Sequence, residues 1–196
     1  SAGYGRLTIE LSASPSASQS PFRITYMSGA KGYSNKLIGA SLSTASVAND
    51  TWNHYALTFE ADDTDMVNRL YINGTLNDTQ VIAAGGELSE ITGALVANIG
   101  ALRTAPAGAI NAVQGWGKMS ASLDEFRFWK KTRTAKDIRS NYWTQVAGGA
   151  NTDAANTDLG VYYKFNEGIT TTASLDSIVL DFSGRISDGV WTGYTS

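Results

Sequence analysis

Paired carboxylates hydrolyse sugars and clustered ones hold metals, so the acidic residues come first. Asp124 and Glu125 are adjacent, and successive side chains of a strand point to opposite faces. They cannot flank one glycosidic bond, where even a retaining pair needs its carboxyls about 5.5 Å apart on the same substrate. Asp62, Asp63 and Asp65 form an acidic loop. Calcium takes six to eight oxygens, and these three are candidate ligands, but their spacing fits no fixed calcium loop; a solvated hairpin tip is the preferred reading. His54 is the only histidine. Its strand carries no serine within reach on the same face, so it reads as a packed histidine bonded at one nitrogen and not as a general base. With no cysteine there is no disulfide, thiolate site or thiol nucleophile, and the compartment is left open. A single histidine also excludes multi-histidine zinc sites.

Aromatic planes are the second kind of chemistry. Sugar rings stack their C–H faces on such planes while amides, carboxylates and backbone groups take the hydroxyls, which makes a pocket of few polar groups on apolar surface. Trp116 in the Ala/Gly-rich loop from Thr104 to Gly117, Tyr33 in a glycine turn, and Tyr4 and Tyr194 near the two ends are the candidate ligand-binding residues. For Trp116 a second reading stands beside this one, in which the ring anchors its loop. Trp129 and Trp143 are expected to pack between a late strand and a helix. Arg127, Lys130, Lys131, Arg133, Lys136 and Arg139 form a basic run, but the chain carries a net charge of -3. No groove-reading motif accompanies the run, so it is read as a solvated helix face and no nucleic-acid partner is expected. Asn49-Asp-Thr51, Asn73-Gly-Thr75 and Asn77-Asp-Thr79 fit a glycosylation sequon, which matters only in a eukaryotic secretory host.

These residues need a scaffold, and the pattern describes a β-rich one. The 196 residues are 42% hydrophobic and only 17% charged, against about 25% charged in an average domain. That leaves a surface built from Ser, Thr, Asn, Gly and Tyr. No apolar run approaches about 18 residues, so no membrane insertion is expected, and the opening residues contain no signal-peptide pattern. Alternation predicts strands over 4–11, 22–26, 36–42, 52–59, 68–72, 80–83, 94–102, 120–129 and 159–165. Tyr55, Leu57 and Phe59 share one face of the fourth, whose other face is also uncharged, as in a central strand covered on both sides. Asn73-Gly74 supplies a type I′ hairpin turn. One helix is expected: Thr134 caps it, Asp137 completes the box, Ile138, Tyr142 and Val146 lie along one face, and Gly148-Gly149 stop it. Short strands at regular intervals with one late helix give an all-β antiparallel sandwich, preferred to a closed barrel because a strand apolar on both faces needs two covers.

Three stretches, in order, resemble the laminin-G-like, concanavalin A-like jelly-roll superfamily: Trp52-Asn-His-Tyr-Ala56 followed by Leu70-Tyr-Ile-Asn-Gly74; Ile99-Gly100; and Leu123-Asp-Glu-Phe-Arg-Phe-Trp129 with Arg133-Thr-Ala135 and the helix. The resemblance implies a jelly-roll sandwich over 1–168. It leaves 169–196 as a turn-rich tail, either a completing strand or the start of a neighbouring module, since Tyr162-Tyr-Lys-Phe-Asn-Glu-Gly168 and Asp181-Phe-Ser-Gly184 are similar to segments that introduce such modules. The chain then reads as a slice of a longer modular protein.

Glucanases of this fold carry a Glu-x-Asp-x-x-Glu strand, which is missing here, so the resemblance implies a non-catalytic module and no enzyme. It implies a structural calcium with Asp124 among its ligands, the alternative being an aspartate satisfied by backbone N–H groups or an arginine. The expected partners are a cell-surface glycan or polysaccharide and neighbouring modules or subunits. The expected setting is extracellular, a cell surface or a virion surface. The competing reading is a structural or decoration domain of a bacteriophage particle or surface assembly that binds no sugar.

Overall fold

A computed structural model describes residues 5–11, 20–29, 31–83, 96–102, 118–119, 121–146, 157–168 and 177–191. The chain divides into two compact units, one made of Ser1–Ser120 with Thr134–Trp143, the other of Ala121–Arg133 with Thr144–Ser196.

In the first unit β1 (Gly5–Leu11), β2 (Phe22–Ser28) and β3 (Lys31–Ile38) form an antiparallel sheet in that order. After the short helix α1 (Thr44–Val47), β4 (Tyr55–Asp62), β5 (Asp65–Ile72) and β6 (Thr75–Ile82) form a second antiparallel sheet, and helix α2 (Ala135–Asn141) belongs to this unit too. The tight turns follow from residues that tolerate the left-handed region: Asn73 and Gly74 have φ of 48° and 79°, as a type I′ hairpin requires. The two sheets share one core. Phe22, Ile24, Tyr33 and Ile38 from the first meet Met66 and Leu70 from the second, and Tyr55, Leu57 and Phe59 pack against them. Rings cross from sheet to sheet, Phe22 on Tyr55 at 5.2 Å and Tyr26 stacked on Phe59 at 5.9 Å. This is the sandwich that the alternation implied.

The sandwich also corrects several expectations. Among the described residues β4 pairs only with β5, and β5 lies between β4 and β6, with Met66, Val67, Asn68, Leu70 and Tyr71 all buried. Arg69 had masked its character; it stays at the surface by pairing with Glu60 at 2.7 Å. β3 and β6 each begin five residues before the expected strands, and β4 three residues after its own. The stretch 43–51, expected as loop, contains α1, closed by a reciprocal capping box between Ser43 and Ser46. No described residue of 96–102 lies in a strand; the chain bends there, with Gly100 at φ 81°. Helix α2 has the expected Thr134–Asp137 box but ends at Tyr142, leaving Val146 outside it.

In the second unit β7 (Phe126–Trp129) pairs with β8 (Leu159–Tyr163), and a two-residue strand pair, β9 (Ile178–Val179) and β10 (Gly189–Val190), follows. β7 is shorter than the expected 120–129 strand, because Glu125 sits at φ 54° and breaks the extended run. A bulge at Gly160 shifts the phase of β8, so that Leu159 and Tyr162 are the fully buried pair where simple alternation had grouped Leu159, Val161 and Tyr163. Asp181 organises the following turn: it accepts the N–H groups of Tyr162, Ser183 and Ser187 at 3.0, 2.9 and 3.1 Å and the Ser183 hydroxyl at 2.8 Å. Among the described residues no helix is long and apolar enough to cross a membrane.

Candidate functional site

Of the four aromatic residues expected to meet a sugar, Trp116, Tyr4 and Tyr194 lie outside the described residues. Tyr33 is no open plane. It is buried in the core, and its hydroxyl donates to Asn68 Oδ1 at 2.8 Å across the sandwich. Burial pushes its pKa up to about 12. The glycine beside it serves the β2–β3 pairing: Gly32 has φ 118°, and a Cβ there would stand 2.1 Å from the Tyr26 carbonyl oxygen.

The acidic candidates do not gather. Asp62 and Asp65 face each other across the β4–β5 hairpin, Asp63 sits in the turn at φ 51°, and the Thr64 hydroxyl is 3.3 Å from Asp65. Asp124 accepts the N–H of Glu125 at 2.9 Å, which is the backbone-satisfied alternative for that residue. No three His, Cys, Asp or Glu side chains among the described residues are grouped so as to hold a metal ion.

Glu125 is occupied elsewhere. Its Oε2 accepts from the Tyr162 hydroxyl at 2.5 Å and from Arg127 at 2.9 Å, and its Oε1 from Gln145 at 3.3 Å. Arg127 also donates to the Thr144 carbonyl and lies over the Tyr162 ring, 5.3 Å from its centre. Burial, then the hydrogen bond to Glu125 and its charge, push Tyr162 up to about 12 against the pull of Arg127. With Tyr162 fully buried, this cluster ties β7 to β8 and presents no open carboxylate pair.

Among the described residues the two most exposed aromatic side chains are ones that the alternation had hidden. Trp52 is 71% exposed and Trp143 73%, unusual for side chains of that size. Trp52 lies before β4 begins, so no sheet face claims it. Trp143 follows the C-cap of α2, beyond the turn that faces inward through Ile138; it was expected between helix and strand. Trp129 is covered by Arg133, whose guanidinium stands 4.5 Å from the ring centre. The segments that carry the two exposed tryptophans meet at one ring contact: His54, two residues after Trp52, lies 5.7 Å from Tyr142, the residue before Trp143. Beside it runs a chain of amides. Asn73 Oδ1 accepts the His54 N–H at 2.9 Å and Asn73 Nδ2 donates to Asn53 at 3.0 Å. Asn53 Nδ2 lies 3.3 Å from the Thr51 hydroxyl, which donates to Asn49 at 2.7 Å. Sequence could have flagged this surface by the crowding of Asn and Thr around Trp52 in Asn49-Asp-Thr-Trp-Asn53. An exposed indole such as Trp52, flanked in the chain by amides and hydroxyls already oriented by one another, can stack on a ring and bond its hydroxyls.

The Laminin_G_3 family model, described as the Concanavalin A-like lectin/glucanases superfamily, matches residues 2–139. No curated protein and no solved structure matches the chain significantly.

Proposed function

We propose that this chain, which belongs to the concanavalin A-like lectin/glucanases superfamily, is a non-catalytic carbohydrate-binding module of a larger extracellular or virion-surface protein, gripping its glycan through Trp52 and Trp143. The observation that carries the reading is the exposure of Trp52 and Trp143 on two segments that meet at the His54–Tyr142 contact, with the hydrogen-bonded Asn49, Thr51, Asn53 and Asn73 on the Trp52 side of it. The amides are already oriented by one another, so little ordering entropy is lost when sugar hydroxyls replace water on them. Glu125 points the same way from the chemical side, since all its described contacts are structural.

Calorimetric titration against a broad oligosaccharide panel tests this. Trp52→Ala and Trp143→Ala are each expected to weaken the best ligand by about 1–2 kcal/mol, roughly five- to thirtyfold. Their melting temperatures should barely move, because both side chains are exposed. Silence across the panel would remove the reading. Parallel titrations in EDTA test the calcium requirement inferred for Asp124; lost affinity or a lower melting temperature would put an ion there.

A second reading has its own support. Leu7, Ile9 and Leu11 of β1 are exposed although they stand opposite Tyr26, Ile24 and Phe22 on the core-facing side of the sheet. An apolar edge of this kind suits contact with a neighbouring subunit of a surface or phage assembly. Concentration-dependent association abolished by Ile9→Lys, with no glycan bound, would favour it.

A further inference from the structure

The Asn73–Gly74 turn has a second side. Asn73 joins the amide chain, while Gly74 packs on α2: a Cβ at Gly74 would stand 2.5 Å from the Tyr142 ring and 3.1 Å from the Arg139 Cα. Glycine alone allows hairpin and helix to come this close, and the approach leaves an open groove of about 380 Å³ beside the turn. Tyr71, Thr75 and Leu76 line it from the hairpin, Lys136 and Arg139 from the helix. Tyr71 is buried beneath it and Leu76 half exposed.

The groove is positive in a chain of net charge -3. Lys136 and Arg139 are three residues apart and so share a helix face. Neither pairs with a carboxylate among the described residues. Asp137, the acid between them in the helix, is engaged by the hydroxyl and N–H of Thr134 at 2.7 and 3.3 Å. Two uncompensated cations over an apolar, aromatic floor suit an anionic group carried on a ring, with the guanidinium able to fork onto two oxygens.

We infer that this groove is an anion subsite, taking the carboxylate or sulfate of an acidic polysaccharide whose neighbouring residues lie on the Trp52 surface across the same turn. The inference rests on the carbohydrate-binding reading and narrows it to acidic glycans. Its test is calorimetry of the whole chain with neutral, uronate-bearing and sulfated oligosaccharides of matched length, at low and high salt. The Lys136→Gln/Arg139→Gln double variant and Trp52→Ala are run in parallel, after melting curves establish that both fold. One acidic series should bind roughly tenfold tighter than the neutral one at low salt, the sum of two exposed ion pairs. The advantage should shrink in high salt and vanish in the double variant, which keeps its affinity for neutral sugar. Whether the uronate or the sulfate series gains identifies the group. Equal binding of neutral and acidic series, with both lost in Trp52→Ala, overturns the subsite and leaves the carbohydrate reading standing. An acidic preference that survives in the double variant also overturns it, while no binding by any series overturns both.

Discussion

Asn68 has its side chain fully buried between the sheets, and the Tyr33 hydroxyl satisfies its carbonyl oxygen, while its Nδ2 has no partner among the described residues. A polar group so placed loses its hydration and regains little when one bond is removed. Tyr33→Phe should therefore cost about 1–2 kcal/mol in urea unfolding, more than a lost surface hydroxyl would. At this scale Tyr33 and Trp52 exchanged their expected roles. A tyrosine beside a glycine looked free, yet its ring fills the core and only its hydroxyl needed a partner. A tryptophan opening an alternating strand looked packed, yet it stands three residues before that strand begins.

At the scale of elements, hairpin and helix are joined at one glycine. Gly74→Ala meets both a φ of 79° and the Tyr142 ring at 2.5 Å. It should lower stability by about 1–3 kcal/mol and, by shifting the turn, weaken glycan binding without touching either tryptophan; thermal melts and titration check both. Asp78 makes a similar tie between β6 and the end of β3 by holding the N–H groups of Gly39 and Ala40. Asp78→Ala leaves those donors unpaired at a partly buried site, and denaturant unfolding should register a loss of about 1–3 kcal/mol. The capping box at Thr134 and the type I′ turn at Asn73 were legible in the sequence because each is set by residues within a few positions of one another. The bulge at Gly160 was not, because it depends on the packing of Phe128 across the ladder.

For the whole molecule, pH is the common probe of both units. Burial pushes the Asp78 carboxyl upward, but the N–H groups of Gly39 and Ala40, with Gln80 and Thr79, outweigh it and hold the pKa below the usual carboxylate value. Asp181 is likewise pushed up by burial and held lower overall by Ser183, Tyr162 and Ser187. A depressed folded pKa contributes stability that is complete above the unfolded value of about 4 and is lost as pH falls through the folded one. Melting temperatures should hold to about pH 4 and then fall. Tyr33 and Tyr162 act at the other end: their folded pKa of about 12 lies above the ordinary 10.0. Stability is complete below about pH 10 and declines as pH rises toward 12, because the unfolded chain releases those protons first. Spectrophotometric titration should find both phenols ionising late, together with unfolding.

Alternation, turn residues and caps determined the strand-rich class, the antiparallel pairing, the shared face of Tyr55, Leu57 and Phe59, and the late helix. The ordered motifs from Trp52 to the helix carried the superfamily. All of these are short-range signals, written by side-chain period and backbone preference. Tertiary structure alone decided that β5 is central, that Tyr33 is core, that Trp52 and Trp143 are bare, and that Lys136 and Arg139 share a groove with Tyr71. Those facts depend on which layer covers which, and burial is set by residues dozens of positions away that no local pattern records.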